Sequence, residues 1–372
     1  MNEYSVHARN KVMRLGYQTY VKPIFFRQDP ESVHERMLSI GSFLGSTALT
    51  KTITRWLFNY EHPMLRQSIK GITFKNPIGL AGGFDKDARL TKIMPEVGFG
   101  FMEVGSITAL PCRGNPKPRL WRLKESKSLV INYGLKNEGC HPIRNRLEST
   151  TCKIPLGINI AKTNSKTTVE TEEGIKDYVA SYLALKHLGN YITINISCPN
   201  AFGGEPFTDP KKLDQLLTAI EKYPTKKPVF LKLSPDISLE QIDDIINITK
   251  KHTIAGFIST NLTKKRDNLL IKDKNVPEKG GISGKVVKEL ATQQVSYLYN
   301  ATKGKYILIG CGGIATSNDA YEKIKAGASL LQLITGMIFE GPQVISEINQ
   351  GLVKLLKRDN YKNISEAVGV KH

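Results

Sequence analysis

The hexapeptide Asn195-Ile196-Ser197-Cys198-Pro199-Asn200 places a thiol between two carboxamides, directly after the β-prone run Tyr191-Ile192-Thr193-Ile194. A free cysteine is most often a small buried hydrophobe. Here the proline and the following stretch through Gly203, Gly204 and Pro206 have the composition of a mobile loop, so Cys198 falls at a strand end, where barrel enzymes keep their catalytic groups. A covalent nucleophile needs a base beside it, and few of the seven histidines lie near strand ends. A general base asks only for substrate contact and a suitable acidity, which is the chemistry these residues support.

Other short β-branched runs end in polar or small residues in the same way. Lys86 follows the first, Ser106 closes the second, Asn159 lies in the third and Asn195 in the fourth. Lys232 lies in the fifth, Thr260 and Asn261 close the sixth, Gly312 and Gly313 the seventh, and Thr335 and Gly336 the eighth. A lysine or asparagine within an apolar strand costs free energy unless it is paired or functional. One such residue reads as structural, whereas the whole set at corresponding positions reads as a site. The last two ends are rich in glycine and precede helical patterns, as in a phosphate cradle built from backbone N–H groups. Tight turns are the plain alternative, and a phosphate alone does not separate a flavin mononucleotide from a sugar phosphate.

The elements that must position these residues recur from about residue 74. Eight runs, at 77–83, 100–106, 155–161, 191–197, 229–234, 255–260, 306–313 and 329–335, alternate with helical patterns such as 175–188, 210–222, 239–251, 285–301 and 318–326. Strand–helix alternation predicts a parallel sheet, and eight units predict a closed (β/α)8 TIM barrel of the α/β class. An open Rossmann sheet is disfavoured, since no G-x-G-x-x-G follows the first strand. Two connections, 107–154 and 261–284, exceed what a barrel needs and should lie on the active-site face. Residues 1–60 differ, interleaving Phe25, Phe26, Phe43 and Trp56 with Arg9, Arg14, Lys22 and Arg55. Short amphipathic helices of this kind suit an anionic membrane surface or a cap on the barrel. The expected division is therefore a helical extension over 1–60 and a catalytic barrel over 61–372.

The 372 residues carry a formal charge of +19, which admits nucleic acid, an anionic bilayer or small anions as partners. Five scattered cysteines without a C-x-x-C pair predict a reducing compartment, no disulfide framework and no metal site. No run of 18 apolar residues exists, and the first twenty residues lack the apolar core of a secretory signal.

In order along residues 71–345, the segments NPIGLAGGFDKD, GFGFMEVGSIT, GNPKPRLWRL, LGINIAK, INISCPN, LKLSPD, ISTN, GGISGK, IGCGGI and TGMIFEGP resemble the dihydroorotate dehydrogenases, FMN enzymes of pyrimidine synthesis. The resemblance implies oxidation of dihydroorotate to orotate, with a base taking the C5 proton and hydride passing from C6 to the flavin. It implies Cys198 as the base, Lys86, Asn132, Asn137, Asn195, Asn200 and Asn261 as substrate ligands, and Lys232 beside the flavin ring. An FMN site lined by Ala81, Gly82, Ser106, Asn159, Asn195, Lys232, Thr260, Gly284, Gly312, Gly313, Thr335 and Gly336 follows from the same match.

QDPESVH at 28–34 resembles the quinone-reducing, membrane-associated class 2 enzymes, which places His34 and Arg122 near a quinone. That subclass implies peripheral attachment to the cytoplasmic side of a bacterial cell membrane and no nucleic-acid partner. Cys198 with the following Gly-Gly instead resembles the soluble class 1 enzymes, since class 2 normally carries serine there. NYGLKN departs from the family's Asn-x-Met-Gly loop by one residue, Leu262 replaces a usual threonine, and Ile334 replaces a frequent tyrosine. A soluble acceptor, fumarate or NAD, therefore stands as the alternative to quinone. An FMN-dependent tRNA-dihydrouridine synthase is a third reading, disfavoured because only about 35 residues follow Thr335 where that family carries an RNA-binding domain.

Overall fold

The structure is a computed structural model that describes residues 3–372. All eight runs form parallel strands of one closed barrel: β1 (Ile78–Leu80), β2 (Phe101–Ile107), β3 (Leu156–Ile160), β4 (Tyr191–Asn195), β5 (Val229–Leu233), β6 (Gly256–Ser259), β7 (Ile307–Cys311) and β8 (Leu330–Leu333). β8 closes on β1, pairing Leu331 with Ile78. The strands are apolar on both sides because helices cover the outside and side chains fill the inside. Helices Thr171–Leu185, Pro210–Glu221, Leu239–Thr249, Lys288–Thr302 and Ser317–Lys325 occupy the stretches where helical patterns were expected.

The barrel interior is layered. At its floor, Phe101, Tyr191, Phe230, Ile258, Ile309 and Leu330 form one apolar cluster, closed from below by Phe74. Phe74 comes from a hairpin (Gln67–Ile69 with Ile72–Phe74), and its ring meets Phe101 edge-on at 5.4 Å. Gly79 makes room for this packing, since a Cβ there would lie 2.4 Å from the Phe101 ring. Above the floor, four donors converge on the buried Glu103 carboxyl: Asn159 Nδ2 at 2.7 Å, Thr193 Oγ1 at 2.8 Å, Gln332 Nε2 at 3.1 Å and Tyr191 OH at 3.3 Å. Such a buried acid is tolerable only when its oxygens are so occupied.

Residues 3–58 form four helices: α1 (Glu3–Gly16), α2 (Lys22–Phe26), α3 (Pro30–Leu44) and α4 (Ala48–Phe58). Asp29 caps α3, accepting from the Ser32 N–H at 2.8 Å, with Pro30 at the first helical position. Polar ties fix these helices to the barrel. Glu31 of α3 pairs with the buried Arg119 at 2.7 Å, Arg55 of α4 with Glu96 at 2.6 Å, and Arg14 of α1 with Glu347. Asn10 donates to Ser346 Oγ at 3.0 Å on the barrel helix Val344–Arg358.

The two long connections are not independent loops. Leu120–Leu123, Ser128–Ile131 and Gly281–Gly284 pair into an antiparallel three-stranded sheet that joins them and roofs the barrel mouth. In the sequence, 107–154 reads only as a long connection, and the hairpin of LWRL with SLVI across KESK appears in the structure. The third strand, 150 residues on, carries no local signal of this pairing. Removing the floor's central ring, Phe101→Ala, should cost about 3–5 kcal/mol, read as a lowered midpoint in denaturant unfolding; an unchanged midpoint would show that the aromatic layer is dispensable.

Candidate active site

At the C-terminal mouth of the barrel, under the roof sheet, a cavity spanning about 1230 Å³ and partly open to solvent collects most of the strand-end residues singled out above. Its wall includes Ala81, Gly82, Lys86, Ser106, Asn195, Cys198, Asn200, Lys232, Thr260, Asn261, Gly284, Gly312, Gly313, Thr335 and Gly336. A hydrogen-bonded chain holds the carboxamides: Asn195 Nδ2 donates to Ser106 Oγ at 2.8 Å, and Ser197 Oγ to Asn195 Oδ1 at 3.0 Å. Asn261 Nδ2 donates to the Ser197 carbonyl at 2.6 Å, while Asn200 Nδ2 reaches the roof, donating to the Ile131 carbonyl at 2.8 Å.

Two cations reach the cavity. Lys232 is 4% exposed and projects from β5, level with Asn195 on β4. Lys86 is positioned by its neighbour Asp85, whose carboxylate accepts from the Arg89 and Leu90 N–H groups at 2.8 Å each. Its ammonium stands 4.0 Å from the centre of the Tyr133 ring, a cation–π contact. Burial, and then the nearby Lys136, bring the Lys86 ammonium down to about 8. Burial also pushes the Cys198 thiol up to about 11, so this environment does not by itself favour the thiolate.

The glycine-rich end has the shape of a cradle. Gly312 and Gly313 take φ of +113° and +69°, in the left-handed region that favours glycine. At Gly336 a Cβ would lie 2.1 Å from the Ile314 carbonyl oxygen. The following helix, Ser317–Lys325, is capped by its own Thr316, which exchanges hydrogen bonds with Asp319. The turn, rather than that helix end, is what faces the cavity.

Three expected residues stand back from the wall. Asn137 is buried and internally satisfied, with Nδ2 donating to Thr108 Oγ1 and the Leu135 carbonyl at 2.8 Å each and Oδ1 accepting from the Gly139 N–H at 2.8 Å. Asn132 accepts from Asn115 Nδ2 at 3.1 Å. The expectation that Asn137 faces substrate is corrected, since its amide is satisfied within the loop, and Asn132 is not on the cavity wall, where the loop turns Tyr133, Leu135 and Lys136. Asn159 lies one layer below, bound to Glu103, and its Oδ1 and Gln332 Oε1 are buried without partners. Tyr133, Phe84, Ser283 and Ile314 were missed, because only the tertiary arrangement brings them to this wall.

A second, apolar chamber spanning about 750 Å³ and partly open to solvent lies between the extension and the barrel, lined by Tyr17, Phe25, Phe26, Val33, Met37 and Met337 among others. Arg122 lies on its wall, donating to the Gln28 carbonyl at 2.8 Å with its guanidinium 4.8 Å over the Phe26 ring. His34, Phe84, Leu120, Leu129 and Ile338 line both chambers. Burial, with Lys86 and Lys136 close by, holds the His34 imidazole well below its ordinary value, so it is neutral.

A closed barrel with a glycine cradle, paired cations and convergent carboxamides at its C-terminal mouth defines an enzyme that binds an anionic cofactor and a small polar substrate together. The family model for dihydroorotate dehydrogenase matches residues 64–356. Proteins named dihydroorotate dehydrogenase (quinone) from Synechococcus sp. and Trichormus variabilis are each 38% identical, over 91% and 95% of this chain and 93% and 98% of their own lengths. The solved structure of Eimeria tenella DHODH in complex with ferulenol superposes with a TM-score of 0.84 at 30% identity, covering 92% of this chain and 96% of that one. The chain belongs to the dihydroorotate dehydrogenase family, a family of flavin-dependent oxidoreductases.

The cradle fits a flavin: glycines where a Cβ would collide, orphaned buried amide oxygens beneath, and a buried ammonium beside. Gly336→Ala should therefore yield folded protein holding less than roughly a tenth of the parent's flavin, measured as flavin absorbance per chain with unchanged circular dichroism. Full flavin content would overturn the fit.

Proposed function

We propose that the chain oxidises dihydroorotate to orotate in pyrimidine biosynthesis with FMN as cofactor, and passes the electrons to a membrane quinone in the apolar chamber. The observation that carries the acceptor is the wall shared by the two chambers, which brings a quinone-sized apolar space next to the cofactor cavity. The family match begins at residue 64, while the quinone-named relatives align over up to 95% of the chain and so include the helical extension. This supports a division into a quinone-chamber extension over 1–60 and a catalytic barrel over 61–372.

Bound FMN supplies the hydride acceptor and the route of two electrons to the quinone. The rest falls to side chains. Lys86 pairs with the substrate carboxylate, and Asn195, Asn200 and Asn261 offer donors and acceptors to the alternating N–H and C=O groups of the pyrimidine. Cys198, as thiolate, accepts the C5 proton while hydride leaves C6 on the adjacent carbon. Lys232 supplies positive charge where the reduced cofactor gains negative charge. Ala81, Gly82, Ser106, Thr260, Gly284, Gly312, Gly313, Thr335 and Gly336 would hold the cofactor, and Asn159, one layer below the wall, would support that site. Neutral His34 and Arg122 border the quinone.

The outward face of the extension supports attachment to an anionic membrane, on the cytoplasmic side in a bacterium. Tyr20, between α1 and α2, Phe43 on α3, and Leu49 and Trp56 on α4 are 69, 67, 69 and 62% exposed, in an extension that also carries Lys11 and Lys51. Isolated exposed apolar residues are ordinary, but several large ones within one short helical extension mark an interaction surface. Among the described residues no helix is long and apolar enough to cross a membrane.

Anaerobic mixing with dihydroorotate should bleach the flavin, and a quinone, but not fumarate or NAD, should restore its colour. Filling the chamber with Met37→Trp should slow that second step at least about tenfold while leaving bleaching intact; recovery with fumarate or NAD alone would assign the soluble alternative.

Protonation gives a separate check. Cys198 must lose its proton, and it titrates above the pH at which free Lys86 does. With saturating dihydroorotate, whose carboxylate keeps Lys86 charged, bleaching should accelerate with rising pH above about 7. Cys198→Ala should keep flavin yet lose roughly 10²–10⁴ in that rate; an unchanged rate refutes the assignment of the base.

A further inference from the structure

Next to the substrate cavity, sharing Leu135, Asn195 and Cys198 with its wall, lies a small space also lined by Lys162, Tyr178, Ala201 and Phe207. Cys198 borders both spaces. Lys162 stands two residues beyond the end of β3 and is 3% exposed. Its Nζ donates to the Phe202 carbonyl at 2.7 Å, in the loop that carries Cys198. Asn164 holds the same loop residue, accepting from the Phe202 N–H at 2.8 Å. Lys162 therefore ties the end of β3 to the base-bearing loop, and the hydrogen-bond partner of its buried charge is a neutral carbonyl rather than a carboxylate.

The charged and titratable groups facing this pair come from several elements. Asp177, on helix Thr171–Leu185, and Cys112 act on Lys162. Glu205, farther along the loop, and Lys264, after β6, act on Cys198. Asp177 is engaged with the Thr163 N–H at 2.7 Å, and Glu205 opposes the thiolate. Burial drives the Lys162 ammonium down and the Cys198 thiol up, and each charged form relieves the other.

We propose that Lys162 is a positioning residue for the base: its ammonium clamps the 198–205 loop through Phe202 and holds a positive charge on the small space that Cys198 also borders. After Cys198 has taken the C5 proton as a thiol, it must release that proton to solvent to regain the thiolate. The charge of Lys162 favours that release. This inference rests on the reading of Cys198 as the base.

The test uses the full-length, FMN-loaded enzyme with Lys162→Met, Lys162→Gln and Lys162→Arg. Iodoacetamide labelling of the Cys198 peptide, followed by mass spectrometry across pH, reads the thiol without any turnover. The Met variant should move the labelling midpoint up by roughly one pH unit, with the Arg variant near the parent. Anaerobic flavin bleaching should shift by the same amount and fall roughly tenfold at fixed pH. The Gln variant replaces Met if the latter loses flavin. An unmoved labelling midpoint overturns the role of Lys162 and leaves the base assignment standing. Faster labelling at every pH with the same midpoint shows a loop clamp only and overturns the electrostatic role. A moved midpoint with unmoved bleaching overturns Cys198 as the base, and the proposal with it.

Discussion

A barrel of parallel strands buries both faces of its sheet, so any polar group turned inward must find its partners inside. Here that constraint centres on Glu103, which gathers Asn159, Thr193, Gln332 and Tyr191 from β3, β8 and β4 around one carboxyl. The layer so formed separates an apolar floor from a polar mouth. It also limits what can stand above it, because a side chain at Gly82 would come within 2.7 Å of Glu103. The depth of the cofactor cavity is set from beneath by this arrangement.

From above, the limits come from the roof sheet and the helical extension. The roof draws residues 120–131 and 281–284 over the mouth, and α3 is fastened beside it by the buried Glu31–Arg119 pair. Removing one partner of such a pair would strand the other's charge, so the pair fixes the position of α3 more than it adds stability. With α3 in place, His34 stands in the partition between the polar cavity and the apolar chamber. The polar cavity and the apolar chamber are thereby kept as adjoining compartments.

The cations follow the same logic of enclosure. Lys86 and Lys232 face the cavity and Lys162 is tied to the loop of Cys198, all three largely withdrawn from water. Burial makes each costly when alone and strongly interacting when an anion arrives. Lys162 and Lys232 are buried and Lys86 is partly so, which sets these three apart from the many exposed lysines of the chain.

The eight strands and the polar residues at their ends were legible in the sequence because a buried parallel strand is nearly all apolar, so that a lysine or carboxamide within it stands out locally. The glycine cradle was legible for a similar reason, since left-handed turns and close approaches demand glycine wherever they occur. Cys198 could be placed at the mouth from its strand and its proline alone. Pairing between segments far apart in sequence was not legible. The strand 281–284 carries no signal for its partner at 128–131, the turn from Tyr133 to Asn137 sends Asn137 inward, and neither Tyr133 nor Lys162 announces what it will face. Strand identity depends on neighbours along the chain, whereas a chamber wall depends on side chains contributed by separate elements. Only the packed tertiary structure decides that second kind of neighbour.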